Sequence, residues 1–460
     1  MYHISFDNPI HIYFMGIGGI SMSGLAEILL SKGFTVSGSD MKESALTKHL
    51  ADRGIKVLIG QCAANITDDI DLIVYTAAIS RDNEEMAAAI DRNIPMLTRA
   101  QLLGEIMNNY KTAIGVAGTH GKTTTTSMLT QILVDADFDP TVTVGGMLST
   151  IGGNLRIGHS DTFLTEACEY TNSFLSFFPT IEVILNVEED HLDFFRDIND
   201  IRNSFTKYAG LLTRDGILVI NGDIDNYKEI TASLECKVIT IGRSANFNYS
   251  ADNIIYNDMG CYSYRLLNNG SGIADISLSV PGIHNVYNSL AAIAVAVELG
   301  IPMDKISEGI HKFSGTDRRF QHKGEVNGFT IVDDYAHHPA EITATLNAAA
   351  NMKYNRTVCI FQPHTYTRTS AFLKEFAAAL SKADEVILAD IYAAREINTI
   401  GISSADLKTE IDKIGTPCRY FADFEDIENY ILSTCRPGEL VITMGAGNIV
   451  EVGEKLVNRT

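Results

Sequence analysis

The chain has 460 residues, too many for one ordinary domain, and its 45% hydrophobic content is ample for two to four cores. Lys plus Arg number 36 against 57 Asp plus Glu, a formal charge of −21 that repels phosphate backbones; this argues against a general nucleic-acid or membrane-surface role. Seven scattered cysteines without a C-x-x-C pair, no basic-then-apolar leader and no apolar run of about 18 residues point to a reduced, cytoplasmic protein without membrane insertion.

Residues 11–109 alternate strand and helix patterns, which predicts a parallel sheet with helices on its faces. HIYFMG reads as a buried strand, 20–31 as an amphipathic helix, and FTVSGSD and LIVYTAA as further strands. The first turn carries Gly16, Gly18 and Gly19, then Ser21 and Gly24. A G-x-G-x-x-G fingerprint would need glycine at Ser21, so the match is imperfect. Asp40 closes the second strand near the usual place of a ribose-binding carboxylate. The unit suits a dinucleotide or any nucleotide diphosphate, or is simply a tight turn between strand and helix.

A boundary falls near residue 110, after QLLGEIMNNY. An apolar run from Ile114 to Ala117 then enters Gly118-Thr119-His120-Gly121-Lys122-Thr123-Thr124, and a threonine-rich helical pattern follows. Backbone N–H groups of such a loop cradle phosphates, Lys122 reaches the outer phosphates, and the Thr123 hydroxyl can hold Mg²⁺. The usual loop has a glycine where Val116 stands, so this one is a shortened variant. Glu166 and Glu169, ending the strand DTFLTEA, are candidate metal ligands beside it. Asn186, Glu188, Glu189, Asp190, His191 and Asp193 follow the strand EVILNV; a cation site, a tuned base or a capped loop would each suit them. The strands GILVIN and KVITIG lead to an antiparallel stretch with a hairpin turn at Asn268-Asn269-Gly270. Two helical patterns, 285–299 and 304–312, end the region. His284, Asn285 and Asn288 open the first of them, where amides can read an adenine edge.

Arg318-Arg319 lies at the next junction and suits a clamp on phosphate charge. From Gly328 the alternation restarts. Three strand ends carry polar or glycine-rich turns: Asp333, Asp334, Tyr335, His337 and His338 after FTIV; His364, Tyr366 and Arg368 after TVCIFQ; and Gly445 to Asn448 after ELVITM. Three such ends in one open sheet point to one crevice.

With those residues in view, the chain resembles the Mur ligase family, in order and over nearly its whole length. The carriers are GIGGISMSGLAE, GTHGKTTT, EACEY, EEDHLD, PGIHNVYNSLAA, GTDRRF, DDYAHHP and FQPHTYTRT. The phosphate loop is shared with folyl-polyglutamate ligases. The resemblance implies three α/β units: a Rossmann-like 1–110, a central ATP-binding 111–314 and a Rossmann-like 315–460. It implies ATP-dependent, acyl-phosphate joining of L-alanine to UDP-N-acetylmuramic acid in peptidoglycan synthesis, by a monomer or weak homodimer.

Under the resemblance Lys122 and Thr123 hold ATP and Mg²⁺, with Glu166 as metal ligand and His191 at a second metal. Asn285 and Asn288 contact ATP, Arg318 its phosphates and Asp334 its ribose. Gly16, Gly18, Gly19 and Asp40 face UDP, and His337, His338, His364 and Arg368 surround the alanine and acyl-phosphate end. Cys168 and Tyr170 stand where many members have Asp and Ser. Another family member, an oxidoreductase built on 11–40, or a nucleotide-sensing module are the rival readings; the second leaves the phosphate loop unexplained.

Overall fold

The computed structural model describes residues 2–459 apart from Ala77, Asp193 and Arg395, and within these the chain builds three sheets. The first is all parallel, in the order Lys56–Ile59, Thr35–Asp40, His11–Met15, Leu72–Tyr75, Met96–Thr98. Its first strand is central because four of its five residues are buried apolar side chains that need cover on both faces. The helix expected over 20–31 is Ile20–Ser31, started by Gly19.

The central sheet has ten strands. The loop strand Thr112–Ala117 lies between Ile181–Ile184 and Thr162–Glu166, so the loop leaves the sheet where strand order switches direction, as ligand sites in open α/β sheets do. The antiparallel stretch extends this sheet as Tyr249–Tyr256, Cys261–Asn268 and Ser271–Pro281. The hairpin turns at Asn269-Gly270, both with positive φ (47° and 77°), the backbone such two-residue turns require.

The third sheet runs Gln321–Val326, Phe329–Asp334, Leu440–Met444, Thr357–Phe361, Glu385–Leu388, Cys418–Tyr420, parallel except for its first strand. The three strands whose ends carry polar turns are therefore immediate neighbours. Short polar edge strands, Gln321–Val326 and Gly153–Arg156 among them, were not legible because they have no apolar alternation.

One apolar core runs from the first sheet into the central one, joining Phe14, Leu25 and Ile28 to Phe163, Phe174 and Phe205. The third sheet has separate cores on its two faces. Among the described residues no helix is long and apolar enough to cross a membrane.

Candidate active site

The loop after Ala117 turns through Gly118 (φ 146°) and Gly121 (φ 84°) into the helix Lys122–Asp135. Glycine is needed at 121 twice over: the backbone is left-handed, and a Cβ would stand 2.6 Å from Asn288 Oδ1. Asn186 grips the loop from the next strand. Its Oδ1 accepts from His120 N at 2.7 Å, its Nδ2 donates to His120 O at 3.0 Å, and its carbonyl accepts from Thr119 N at 3.3 Å. Lys122 Nζ donates to Gly118 O (2.5 Å), Thr119 O (3.1 Å) and Glu169 (3.0 Å). Burial disfavours its charge, but the Glu169 carboxylate outweighs that and raises its pKa, so the ammonium persists at neutral pH.

The three expected metal residues do not form one ligand set. Thr123 Oγ1 donates to Glu166 Oε2 at 3.0 Å, and Gly145 N holds the other oxygen at 2.5 Å. His191, at φ +53° and stacked on Tyr170 at 4.5 Å, instead lies 3.7 Å from Glu169 Oε1 and 3.8 Å from Asp190 Oδ2. Burial lowers its pKa although the two carboxylates pull the other way, so it is a neutral imidazole with ligand capacity. Asp193 of the same cluster lies outside the described residues. Among the described residues no group of three or more His, Cys, Asp or Glu side chains converges to hold a metal ion. A hard cation there would have to be completed by oxygens of a phosphate, which suits a Thr–Glu pair at a phosphate loop.

A cavity of about 230 Å³ opens beside the loop, lined by His120, Gly121, Asn285, Asn288, Arg319 and Asp334, with Thr124, His284 and Glu341 also on its wall. Asn288 Nδ2 donates to Asn285 Oδ1 at 2.9 Å, and Asn285 Nδ2 to Pro281 O at 2.7 Å, which orients both amides. Asp334 accepts from Ala336 N (2.7 Å) and Phe320 N (2.9 Å), and burial pushes its carboxyl up to about 6.

The arginine pair divides its work in a way the sequence did not reveal. Arg318, expected on the phosphates, pairs with buried Asp333 (3.2 Å) and donates to the carbonyls of Gly445 (2.6 Å) and Gly447 (3.1 Å). It ties two strand-end turns of the third sheet together, and Arg319 is the one that faces the cavity.

From the third sheet, His337 and His338 stand beside the loop. The His338 ring is 5.0 Å from His120, and His337 is 5.9 Å from His364. His338 Nδ1 accepts from Ala340 N at 3.3 Å and caps the helix Pro339–Ala350, so its neutral tautomer carries the proton on Nε2, which has no hydrogen-bond partner among the described residues. Burial lowers both His337 and His338 to about 4. Arg368 reaches back to the central region and pairs with Asp190 at 2.9 Å.

In the first sheet, Gly16 N and Ile17 N donate to Ser39 O, and Gly18 N donates to Asp40 Oδ2 at 2.9 Å. A Cβ at Gly18 would stand 2.8 Å from that carboxylate. Asp40, expected against a ribose or diphosphate, thus closes the glycine turn itself. A second cavity of about 220 Å³ runs from Ser21 and Gly24 past Arg99 to Glu166 and Cys168. Glu166, the hydrogen-bond partner of Thr123, therefore lines this second cavity, while His120, Gly121 and Thr124 of the loop line the first.

Asn186 and Glu341 are the site residues that sequence reasoning left without a role of their own, and of the arginine pair read as a phosphate clamp it singled out Arg318 rather than Arg319. Asn186 was visible only as part of a charged cluster, and Glu341 carried no motif signal apart from its place after His-His-Pro.

A shortened phosphate loop with one cavity beside it and a second reaching Glu166, and with a third sheet docked over it, is the build of a carboxylate-activating ligase. Three family models match in order: the catalytic domain of the Mur ligase family over residues 11–111, the Mur ligase middle domain over 116–296, and the glutamate ligase domain over 318–447. The chain belongs to the Mur ligase family. It is 59% identical over 459 residues to the UDP-N-acetylmuramate–L-alanine ligase of Agathobacter rectalis, covering 100% of both chains. It is also 59% identical over 458 residues to that of Lachnospira eligens, covering 99% of this chain and 100% of the relative. The crystal structure of the UDP-N-acetylmuramate–alanine ligase of Thermotoga maritima superposes with a TM-score of 0.81 at 28% identity, covering 98% and 99%.

Proposed function

We propose that the chain joins L-alanine to the carboxylate of UDP-N-acetylmuramic acid in an ATP-dependent reaction of peptidoglycan synthesis. The observation that carries the reading is the Thr123–Glu166 pair at 3.0 Å: Thr123 follows the loop that borders the first cavity, suited to ATP, and Glu166 lines the second, suited to the sugar. Full-length identity of 59% to proteins named for that reaction supports the substrate choice. On this reading the chain divides into units 1–110, 111–314 and 315–460, which bind the UDP sugar, bind ATP, and complete the site.

ATP lies in the first cavity with its base near Asn285 and Asn288 and its phosphates on the loop. Thr123 and Glu166 would hold Mg²⁺, which would screen phosphate charge, and neutral His191 sits where a second ion would be met. The sugar carboxylate attacks the γ-phosphate, forming an acyl phosphate and expelling ADP; both partners are anions, so Lys122 and Arg319 offset the repulsion where charge develops. The alanine amine then attacks the acyl phosphate and phosphate leaves. His337, His338, His364 and Arg368 from the third sheet surround that end and exclude water from the mixed anhydride.

Phosphate release requiring ATP, Mg²⁺, UDP-N-acetylmuramic acid and L-alanine together is the expected result. Equal release with other amino acids, or none with this set, would refute the assignment. Lys122→Ala is expected to lower turnover by more than about a hundredfold with an unchanged circular-dichroism spectrum; an active variant would remove the loop from the mechanism.

A further inference from the structure

Glu341 lies in the first turn of the helix Pro339–Ala350, in the third region, yet its carboxylate meets the phosphate loop of the central one. Its Oε1 is 3.2 Å from His120 Nδ1, a residue 221 positions away, and its Oε2 accepts from His337 N at 3.0 Å with His337 Nδ1 at 3.2 Å. Arg319 of the cavity wall is 4.0 Å off. One carboxylate thus touches the loop, the His-His segment and the cavity arginine.

Asn186 holds both the N–H and the carbonyl of His120, so the imidazole projects from an anchored main chain. The loop in place therefore presents its donor to the docking helix from a fixed backbone position. From this we infer that Glu341 is a positioning residue, coupling the docked third region to the phosphate loop through His120 so that His337, His338 and Arg368 are aligned only when the loop is in register. The Asp190–Arg368 pair also joins the two regions but bypasses the loop, so it cannot supply this coupling. The inference rests on the ligase reading for its kinetics, and on geometry alone for docking.

The test is a double-mutant cycle of His120→Ala and Glu341→Ala, read in phosphate release and in small-angle scattering. Glu341→Ala is expected to lower kcat at least tenfold while KM for the UDP sugar stays within twofold. Glu341→Gln, which keeps a hydrogen-bonding oxygen in place, is expected to recover most of that loss. The double variant should be no worse than the worse single, because both remove one link. The radius of gyration of Glu341→Ala should exceed that of the wild type in the same buffer.

Multiplying losses in the cycle, or a Glu341→Ala variant within twofold of wild type, would overturn the coupling. If the wild type releases no phosphate, the ligase reading falls, and scattering still decides the docking role: equal radii refute it. Should Glu341→Ala fold poorly, His120→Ala cuts the same link from the other side and takes its place in the scattering comparison.

Discussion

Arg318 and Arg319 are adjacent, carry the same charge and do different things. Arg318 neutralises Asp333, a fully buried carboxylate, and fastens the Gly445–Gly447 turn through two carbonyls. Arg319 lines the cavity beside the phosphate loop. Removing one partner of a buried pair leaves the other charge uncompensated, so Arg318→Ala is expected to lower unfolding free energy by roughly 3 kcal/mol in urea titration. Arg319→Ala is expected to keep that stability and raise KM for ATP instead. The reverse pattern would show that the roles are misassigned.

The segment from Tyr335 to the helix Pro339–Ala350, with His284 on the same cavity wall, makes stability depend on pH. Burial lowers His337, His338 and His284 to about 4 from an ordinary 6.5. The unfolded chain takes up these protons near pH 6.5 and the folded chain only near 4, so stability falls as pH falls through that window. Asp334, raised to about 6 by burial, works in the opposite direction, as do the raised Asp333, Glu182 and His120, while His191 and His364, also lowered by burial, reinforce the three histidines. The melting temperature is therefore expected to drop by more than about 5 °C between pH 7 and pH 5; a flat or rising profile would mean these histidines are solvated. The loop helix and its strand were readable because glycine placement and apolar runs are local signals. That His338 would cap its own helix was not, since the pattern His-His-Pro states neither which ring turns inward nor which nitrogen carries the proton.

Across the whole molecule, the first and central sheets share one apolar core, while the third has its own two. Polar links hold the third to the rest: His120–Glu341, Asp190–Arg368, Asn351–Tyr262 at 3.2 Å and Lys353–Asp258 at 2.8 Å. Contacts of this kind exchange readily with water, so they hold the third region less firmly than a shared apolar core would. Calorimetry is expected to resolve two unfolding transitions, the larger belonging to the first two sheets together. A single cooperative transition would show that the third sheet is welded to the others.

The strand, glycine loop and helix at 112–135, the hairpin turn at Asn269-Gly270 and the three neighbouring polar strand ends were determined by the sequence alone. Backbone period, left-handed glycines and chain order encode such features within a few residues, and the family likeness rests on the same short motifs. Tertiary structure decided which arginine meets the cavity, because Arg318 (φ +62°) and Phe320 (φ +48°) are left-handed on either side of Arg319 and break any regular alternation of faces. It also decided that Glu341 meets His120 and that Arg368 meets Asp190. Those pairs lie far apart in the chain, and only the docking of one folded unit on another brings them within hydrogen-bond range.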